Sequence, residues 1–364
     1  MQQIQHMPVH GGMIWEAERS VSGGSILDFS SSINPVPPPP EILKGLREGF
    51  KLIYRYPDQH YSALKEAIAS YHSIDPGNVV TGAGATEVIH MFASAMAHTG
   101  SSVILSSPTF SEYEFASKKA GFRVKHLKRS EDSLIDIRSI LKIAGKGDVV
   151  YICNPNNPTG KLEIEGDTEK LIDAAVAKKF SVLLDESFMD LVAAGTNYTL
   201  VDTAVKSSSV FVVKSLTKVL GVPGLRVGYG IGGKSMADKI SRFGITWGIS
   251  VPCSMAAEMA MPVMKKHIRD SLEVIKKERQ FLLDGIHPIC GRTNVSGLAN
   301  FIYVGTQQLN MSSRLLCKKF LERKILVRDC SSFRMAGSHH IRVAVRTHGE
   351  NIKFLAALKN IAGK

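Results

Sequence analysis

A chain of 364 residues, 44% apolar and 21% charged, can bury a sizeable core, which excludes a disordered or fibrous polymer, and no run approaches the ~18 apolar residues of a membrane span. The net charge of +12 carries no nucleic-acid signature: in MKKHIRDSLEVIKKERQFLL (264–283) the bases alternate with acids on a solvated helix face, opposite a stripe of Ile268, Leu272, Ile275 and Leu282. Five cysteines (153, 253, 290, 317, 330) without a CxxC pair point away from a disulfide framework or a zinc site and toward reduced thiols, with no metal called for.

The N-terminal MQQIQHMPVHGGM lacks the basic-then-apolar layout of a secretory leader, so a cytoplasmic location is expected. Residues 34–40, NPVPPPP, form a stiff extended segment that sets off a short N-terminal arm. From residue 79, short apolar runs alternate with helical patterns. Val79-Val80 leads through TGAGATE into a helical stripe at Val88, Ile89, Phe92 and Met96. Val103-Ile104-Leu105 is followed by a helical stretch through Lys119 and by the alternating Phe122-Val124-Leu127. Val149-Val150-Tyr151-Ile152 ends at NPNNPTG, Leu171–Phe180 reads as helix, Val182-Leu183-Leu184 ends at Asp185, and Val210–Val213 runs toward SLTK. Continuous apolar runs spaced by helices predict buried strands in a mostly parallel sheet. Ligands gather at the carboxyl ends of such strands, and GAGATE, SPTF, NPNNPTG, DES and SLTK all stand there. Beyond residue 255, long helical patterns precede Phe301–Val304, Ile325-Leu326-Val327 and Ile341-Val343-Val345. The expected architecture is α/β: a large domain over 51–254 with a central sheet flanked by helices, and a smaller α+β domain over 255–364, completed by the arm at 1–50.

The stretch FVVKSLTKVLGVPGLRVGY (211–229) gathers an amine, a hydroxyl, a guanidinium and bare backbone: Lys218, Ser215, Arg226 and glycines 221, 224 and 228. An amine that forms an imine has to be held, partly desolvated, beside an electron sink, and pyridoxal phosphate (PLP) is such a sink. PLP asks for an amine, an acid beneath its ring nitrogen, donors for its phosphate and a flat group against its ring. Lys218 answers the first demand and Asp185, at its strand end, the second. Arg226, Ser215 and Gly84-Ala85-Thr86, whose N–H groups open a helix, answer the third. Phe110 in SPTFSEY supplies the flat group, and Asn157 is placed to hydrogen-bond the ring's phenolic oxygen. GAGATE lacks the third glycine of a dinucleotide fingerprint, which argues against a Rossmann site.

NPNNPTG, D-x-x-F at 185–188 and S-x-T-K-x-x-G-x-x-G-x-R-x-G-Y at 215–229 together resemble the fold type I, aspartate-aminotransferase-like PLP enzymes, over nearly the whole chain. The resemblance implies that Lys218 carries the cofactor covalently, that Arg226 and Ser215 hold its phosphate, that Asp185 pairs with the ring nitrogen and that Asn157 binds the phenolic oxygen. It also implies a homodimer with shared active sites, in which Tyr56 of RYPD (55–58) reaches the neighbour's cofactor phosphate.

Within that family, three features resemble the threonine-phosphate decarboxylases of cobalamin biosynthesis more than the histidinol-phosphate aminotransferases. Phe188 stands where the transaminases carry a tyrosine, the lysine lies in SLTK with PGLR after it, and His10-Gly11-Gly12 is followed by LDFSSSINP (27–35). This resemblance implies a carboxy-lyase that converts L-threonine O-3-phosphate to (R)-1-aminopropan-2-yl phosphate. His10 and Arg328 would hold the substrate phosphate and Arg342 the carboxylate, with Asn157 close by; Arg346, at period two from Arg342, stays open as a second carboxylate group. Ser32 occupies the position where the family's asparagine contacts the substrate phosphate, which leaves L-serine O-phosphate as an alternative substrate. Amine transfer from histidinol phosphate is the other enzymatic alternative. A PLP-fold transcription regulator is the non-enzymatic one, but the residues ahead of RYPD are too few for a winged helix. The expected partners are thus a phosphorylated amino acid and a second copy of the chain, with neither nucleic acid nor membrane.

Overall fold

The computed structural model describes residues 7–21, 25–97, 101–192 and 198–363. After a two-residue strand β1 (Leu27–Asp28) come β2 (Val79–Gly82), β3 (Ser102–Ser107), β4 (Arg123–Lys128), β5 (Val149–Cys153), β6 (Ser181–Asp185), β7 (Val210–Ser215) and β8 (Gly228–Ile231). These last seven form one sheet in the order β2-β8-β7-β6-β5-β3-β4. All neighbours are parallel except where β8 meets β2 and β7.

Successive residues of these strands enter different cores. Val182, Leu184 and Val212 join one apolar cluster, while Leu183, Phe211 and Val213 join another. Burial on both faces is why the strands read as unbroken apolar runs. The same period of two brings Cys153, Asp185 and Ser215 out on the face of Tyr151, Leu183 and Val213. Helices Ala85–Met96 and Glu112–Lys119 cover that face, so three strand ends converge beneath one helix N-terminus.

The smaller domain carries β9 (Val295–Ser296), β10 (Phe301–Gly305), β11 (Ile325–Leu326), β12 (Arg328–Asp329) and β13 (His340–Ala344). Strands β12-β13-β10-β9 form an antiparallel sheet, and β1 pairs in parallel with β11. Phe29, just after β1, lies in the small-domain core with Leu282, Ile302 and Phe354.

The two cores do not divide at residues 50 and 254. Ile42 of helix Pro40–Phe50 and Ala256, Ala257 and Ala260 of helix Val251–Ala260 belong to the large core. Those two helices touch backbone to backbone, because a Cβ at Gly45 or Gly49 would collide with Ala256 or Pro252. Helix Met264–Cys290 serves both cores: Met264 and Ile275 pack into the large one, Leu282, Ile286 and Ile289 into the small one. The proline run ends by starting a helix, Pro40 being its first residue. An amphipathic pattern shows that a helix has an apolar face, not which core receives it. Among the described residues, no helix is long and apolar enough to cross a membrane.

Candidate active site

A cavity of about 290 Å³ opens at the carboxyl ends of β5, β6 and β7. Of the residues expected at the site, Lys218, Asp185, Ser215, Arg226, Ala85, Thr86, Phe110, Asn157, His10, Arg328 and Arg342 line it; Gly84, Ser32 and Tyr56 do not.

Strand β7 ends at Ser215, and the single helical turn Leu216–Val219 aims Lys218 into the cavity. Desolvation, reinforced by the charges of Arg342 and Arg226, pushes its amine down to about 8, toward the neutral, nucleophilic form. The folded value lies below the ordinary 10.5. Between those pH values the unfolded chain binds a proton that the folded chain refuses, so this group's contribution to stability rises with pH. The cofactor-free Lys218→Met variant is therefore expected to exceed wild type in urea stability most below pH 8, and to lose that margin as pH climbs to 10.5. A margin independent of pH would mean that the amine is not desolvated.

Asp185 is buried, and that burial raises its pKa against the opposing hydrogen bonds of Ser187 and Tyr113. Its Oδ2 accepts from the Tyr113 hydroxyl (2.6 Å) and its Oδ1 from the Ser187 N–H (2.9 Å). Burial and the neighbouring carboxylate hold the Tyr113 phenol well above its usual value, which keeps it a donor. No cation among the described residues forms an ion pair with Asp185. A buried carboxylate so placed fits a protonated ring nitrogen.

The anion cradle depends on two missing side chains. Gly84 (φ +85°) precedes helix Ala85–Met96, and a Cβ there would strike the Arg226 guanidinium; a Cβ at Gly228 would strike the backbone of Ala85. The bare positions let Arg226 and β8 close around the helix N-terminus, where unsatisfied N–H groups and the helix dipole favour a phosphate. Gly84 thus shapes the cradle without lining it. The hydroxyls of Ser215 and Thr217, 2.8 Å apart, complete the donor set. Phe110 forms a wall, edge-on to Tyr113 (84°). Asn157 Oδ1 accepts from Arg342 Nη1 (2.5 Å), which leaves its NH₂ group to donate.

At the far end, Arg328 and Arg342 are register partners across β12 and β13, so both guanidiniums project from one sheet face. Both side chains are buried. Arg342 donates to Ser30 O (2.8 Å) and lies over the Phe301 ring; Arg328 donates to Val9 O (2.6 Å) and Ser332 Oγ (2.8 Å) and lies over Phe333. Burial pushes Arg342 down to about 10, with the Arg328 charge adding to it.

A desolvated amine, a buried carboxylate and a helix N-terminus beside an arginine thus meet at three strand ends. The chain matches the family Aminotransferase class I and II over residues 25–358. It belongs to that family. Like the rest of this family's fold type I members, it is PLP-dependent, and Lys218, Asp185, Ser215, Arg226 and the helix N-terminus at Ala85 are the groups that fit the cofactor.

Among its aminotransferase-family relatives, the histidinol-phosphate aminotransferase of Methanosphaera stadtmanae is 29% identical, the match covering 94% of this chain and 92% of that one. The threonine-phosphate decarboxylase of Salmonella typhimurium is 27% identical over 97% and 96%. The crystal structure of the histidinol-phosphate aminotransferase from Clostridium acetobutylicum superposes with a TM-score of 0.84 at 31% identity, covering 93% of this chain and 99% of that one.

Ser32 and Arg346 fall elsewhere, whereas Tyr56 is expected at the site of a second copy and not in the cavity of its own chain. Ser32 is fully buried, and its hydroxyl has no partner and does not line the cavity. Ser30 and Ser31 line it instead, because Asp28 curls the segment by accepting from both of their N–H groups and both hydroxyls. Tyr56 is 77% exposed and stacked on Trp247 at 4.3 Å, apart from the cavity of its own chain. Arg346 turns to Glu350 (2.9 Å); β13 ends at Ala344, so the period of two no longer governs it. Sequence reasoning passed over Tyr113 and Glu112, although both lie within SPTFSEY, and over Thr217 and Ser187 beside the chosen Ser215 and Asp185.

Proposed function

We propose that this chain is a PLP-dependent decarboxylase that converts L-threonine O-3-phosphate to (R)-1-aminopropan-2-yl phosphate and carbon dioxide, serving the cobalamin nucleotide loop. The cross-strand pair Arg328–Arg342 carries the reading. Like charges directly opposite on neighbouring strands destabilise a sheet, and burial adds to that cost. A substrate with two separate anionic groups, a carboxylate and a phosphate, relieves both. Phe188 supports the same reading. Its ring centroid lies 5.7 Å from Lys218 Nζ, and it brings no hydroxyl to a position where, by resemblance, the transaminases have one.

PLP, when bound, supplies a conjugated sink for the electron pair released as a bond to Cα breaks. The chain's own task is to choose that bond. Arg342, braced on Asn157, grips the carboxylate, and Arg328 with His10 grips the phosphate. Two fixed points settle the rotation about Cα, and so favour loss of carbon dioxide over loss of a proton. Lys218 Nζ then delivers a proton to Cα, while Asp185 keeps the ring nitrogen protonated. Ser32 lies outside the cavity, so its small size gives no argument for L-serine O-phosphate.

Amine transfer from histidinol phosphate is the second reading, supported by the 31% identity to the clostridial structure with that name. Purified holoenzyme incubated with L-threonine O-3-phosphate, L-serine O-phosphate, or histidinol phosphate plus 2-oxoglutarate separates them. Carbon dioxide released from the threonine ester is expected; amine transfer from histidinol phosphate without it overturns the decarboxylase reading. Arg328→Ala is expected to raise KM for L-threonine O-3-phosphate by roughly 10- to 100-fold, the worth of a hydrogen bond to a charged group. Free L-threonine should be nearly unaffected, and equal losses on both would argue against a phosphate role.

The reading includes a homodimer. Phe50, Ile53, Tyr54 and Tyr56 are all more than 60% exposed, an apolar surface suited to a second copy, from which Tyr56 would reach the neighbouring site.

A further inference from the structure

His10 reaches the cavity from a segment outside both sheets, residues 7–13, which has no helix or strand of its own. Gly11 lies flush on the serine loop, since a Cβ there would collide with Ser30 O, and the Gly12 N–H donates to Ser30 Oγ (2.8 Å). Val9 O is held by Arg328. These contacts fix the backbone. The imidazole itself is fixed by Glu112, whose Oε1 lies 2.6 Å from His10 Nε2, and it leans on Phe110 with ring centroids 5.6 Å apart.

Glu112 opens helix Glu112–Lys119 and is only 6% exposed. Its other oxygen, Oε2, lies 3.0 Å from Nε2 of His90, on helix Ala85–Met96. Burial alone would raise this carboxyl, but the hydrogen bonds and charges of His10 and His90 bring it down to about 2. It does not line the cavity, so it meets no substrate directly. An ionised carboxylate can only accept, so a hydrogen bond to it requires the proton of His10 to be on Nε2. That leaves Nδ1 as the ring's second hydrogen-bonding site.

We propose that Glu112 is a positioning residue for the phosphate-binding end of the site: it orients His10 by Nε2 so that Nδ1 is the ring nitrogen offered to the distal anion, and His90 braces it from the neighbouring helix. The inference rests on the phosphate role given above to His10.

The test uses Glu112→Ala, Glu112→Gln, His10→Ala and the Glu112→Ala/His10→Ala double variant as holoenzymes. L-threonine O-3-phosphate and L-threonine are titrated against the visible absorbance of each, with kcat and KM measured alongside. Glu112→Ala is expected to weaken the phosphorylated ligand about tenfold while leaving L-threonine within about twofold, as loss of one charge-assisted hydrogen bond predicts. Glu112→Gln, which keeps a neutral acceptor, should recover part of the loss, and the double variant should be no worse than His10→Ala. If Glu112→Ala does not fold, Glu112→Gln combined with His10→Ala carries the same comparison. A loss in His10→Ala with none at position 112, additive losses in the double variant, or equal losses on both ligands would each overturn the inference and leave the proposed function standing. A His10→Ala enzyme with undiminished preference for the phosphorylated ligand would overturn the phosphate role of His10 and this inference together.

Discussion

Lys218→Ala holoenzyme is expected to lose the visible absorption band of covalently held PLP and to slow by at least about 10²–10⁴-fold, the usual contribution of a positioned proton-transfer group. The geometry explains why no neighbour can substitute. The other lysine of this stretch, Lys214, lies within β7 and faces the side of the sheet opposite Val213 and Ser215, whereas Lys218 sits beyond the strand on the helical turn. Its amine is buried beneath the sheet with Glu186 (3.2 Å) and Asp190 (3.2 Å), and these acids raise its pKa against the effect of burial. A permanently charged, doubly paired amine is no nucleophile. Lys218, its pKa lowered by burial and by two arginines, is the one poised to react. Absorption spectra and single-turnover rates check the prediction, and an unchanged band in the variant would remove Lys218 from its role.

Glu163→Ala should cost about 3–5 kcal/mol of folding stability, the penalty for stranding a buried charge without its partner. Arg129 Nη1 lies 2.6 Å from Glu163 Oε1, with both side chains almost wholly buried. The carboxylate's second oxygen accepts the Ile135 N–H (2.9 Å). Arg129 also donates to Ser106 O, Pro108 O and Ser133 O, and to Asn156 Oδ1. The pair thus ties the strand end before Phe110 to the NPNNPTG turn that carries Asn157. Urea unfolding of the variant measures the loss; a deficit under about 1 kcal/mol would match an exposed pair and contradict the burial.

The cofactor end of the site could be read from the chain because its groups stand where apolar runs stop, and a run's end shows in sequence. Lys218, Asp185 and Gly84-Ala85-Thr86 are all of that kind. Arg328 and Arg342 came from resemblance. Their opposition across β12 and β13 depends on pairing between segments that no local pattern specifies. Ser32 was displaced because residues 29–33 are not a regular strand, and the Asp28 side chain sets their direction. Glu112 looks in sequence like an ordinary acid in the first turn of a helix. Its role shows only when His10 arrives from 102 positions away. The core boundaries were illegible for a related reason: helices Pro40–Phe50 and Val251–Ala260 meet through glycines, which carry no hydropathy signal.

Asp185 and Ser215 hang from one sheet and Arg328 and Arg342 from the other, while helix Met264–Cys290 packs into the cores of both domains. At 27 residues it is a beam ~40 Å long, far stiffer than a loop tether. Tilting such a beam by little more than about one degree swings its far end by ~1 Å, a misalignment that can cost about 10²-fold in rate. Ile275 and Leu282, which do not line the cavity, seat the two halves of that beam in the two cores.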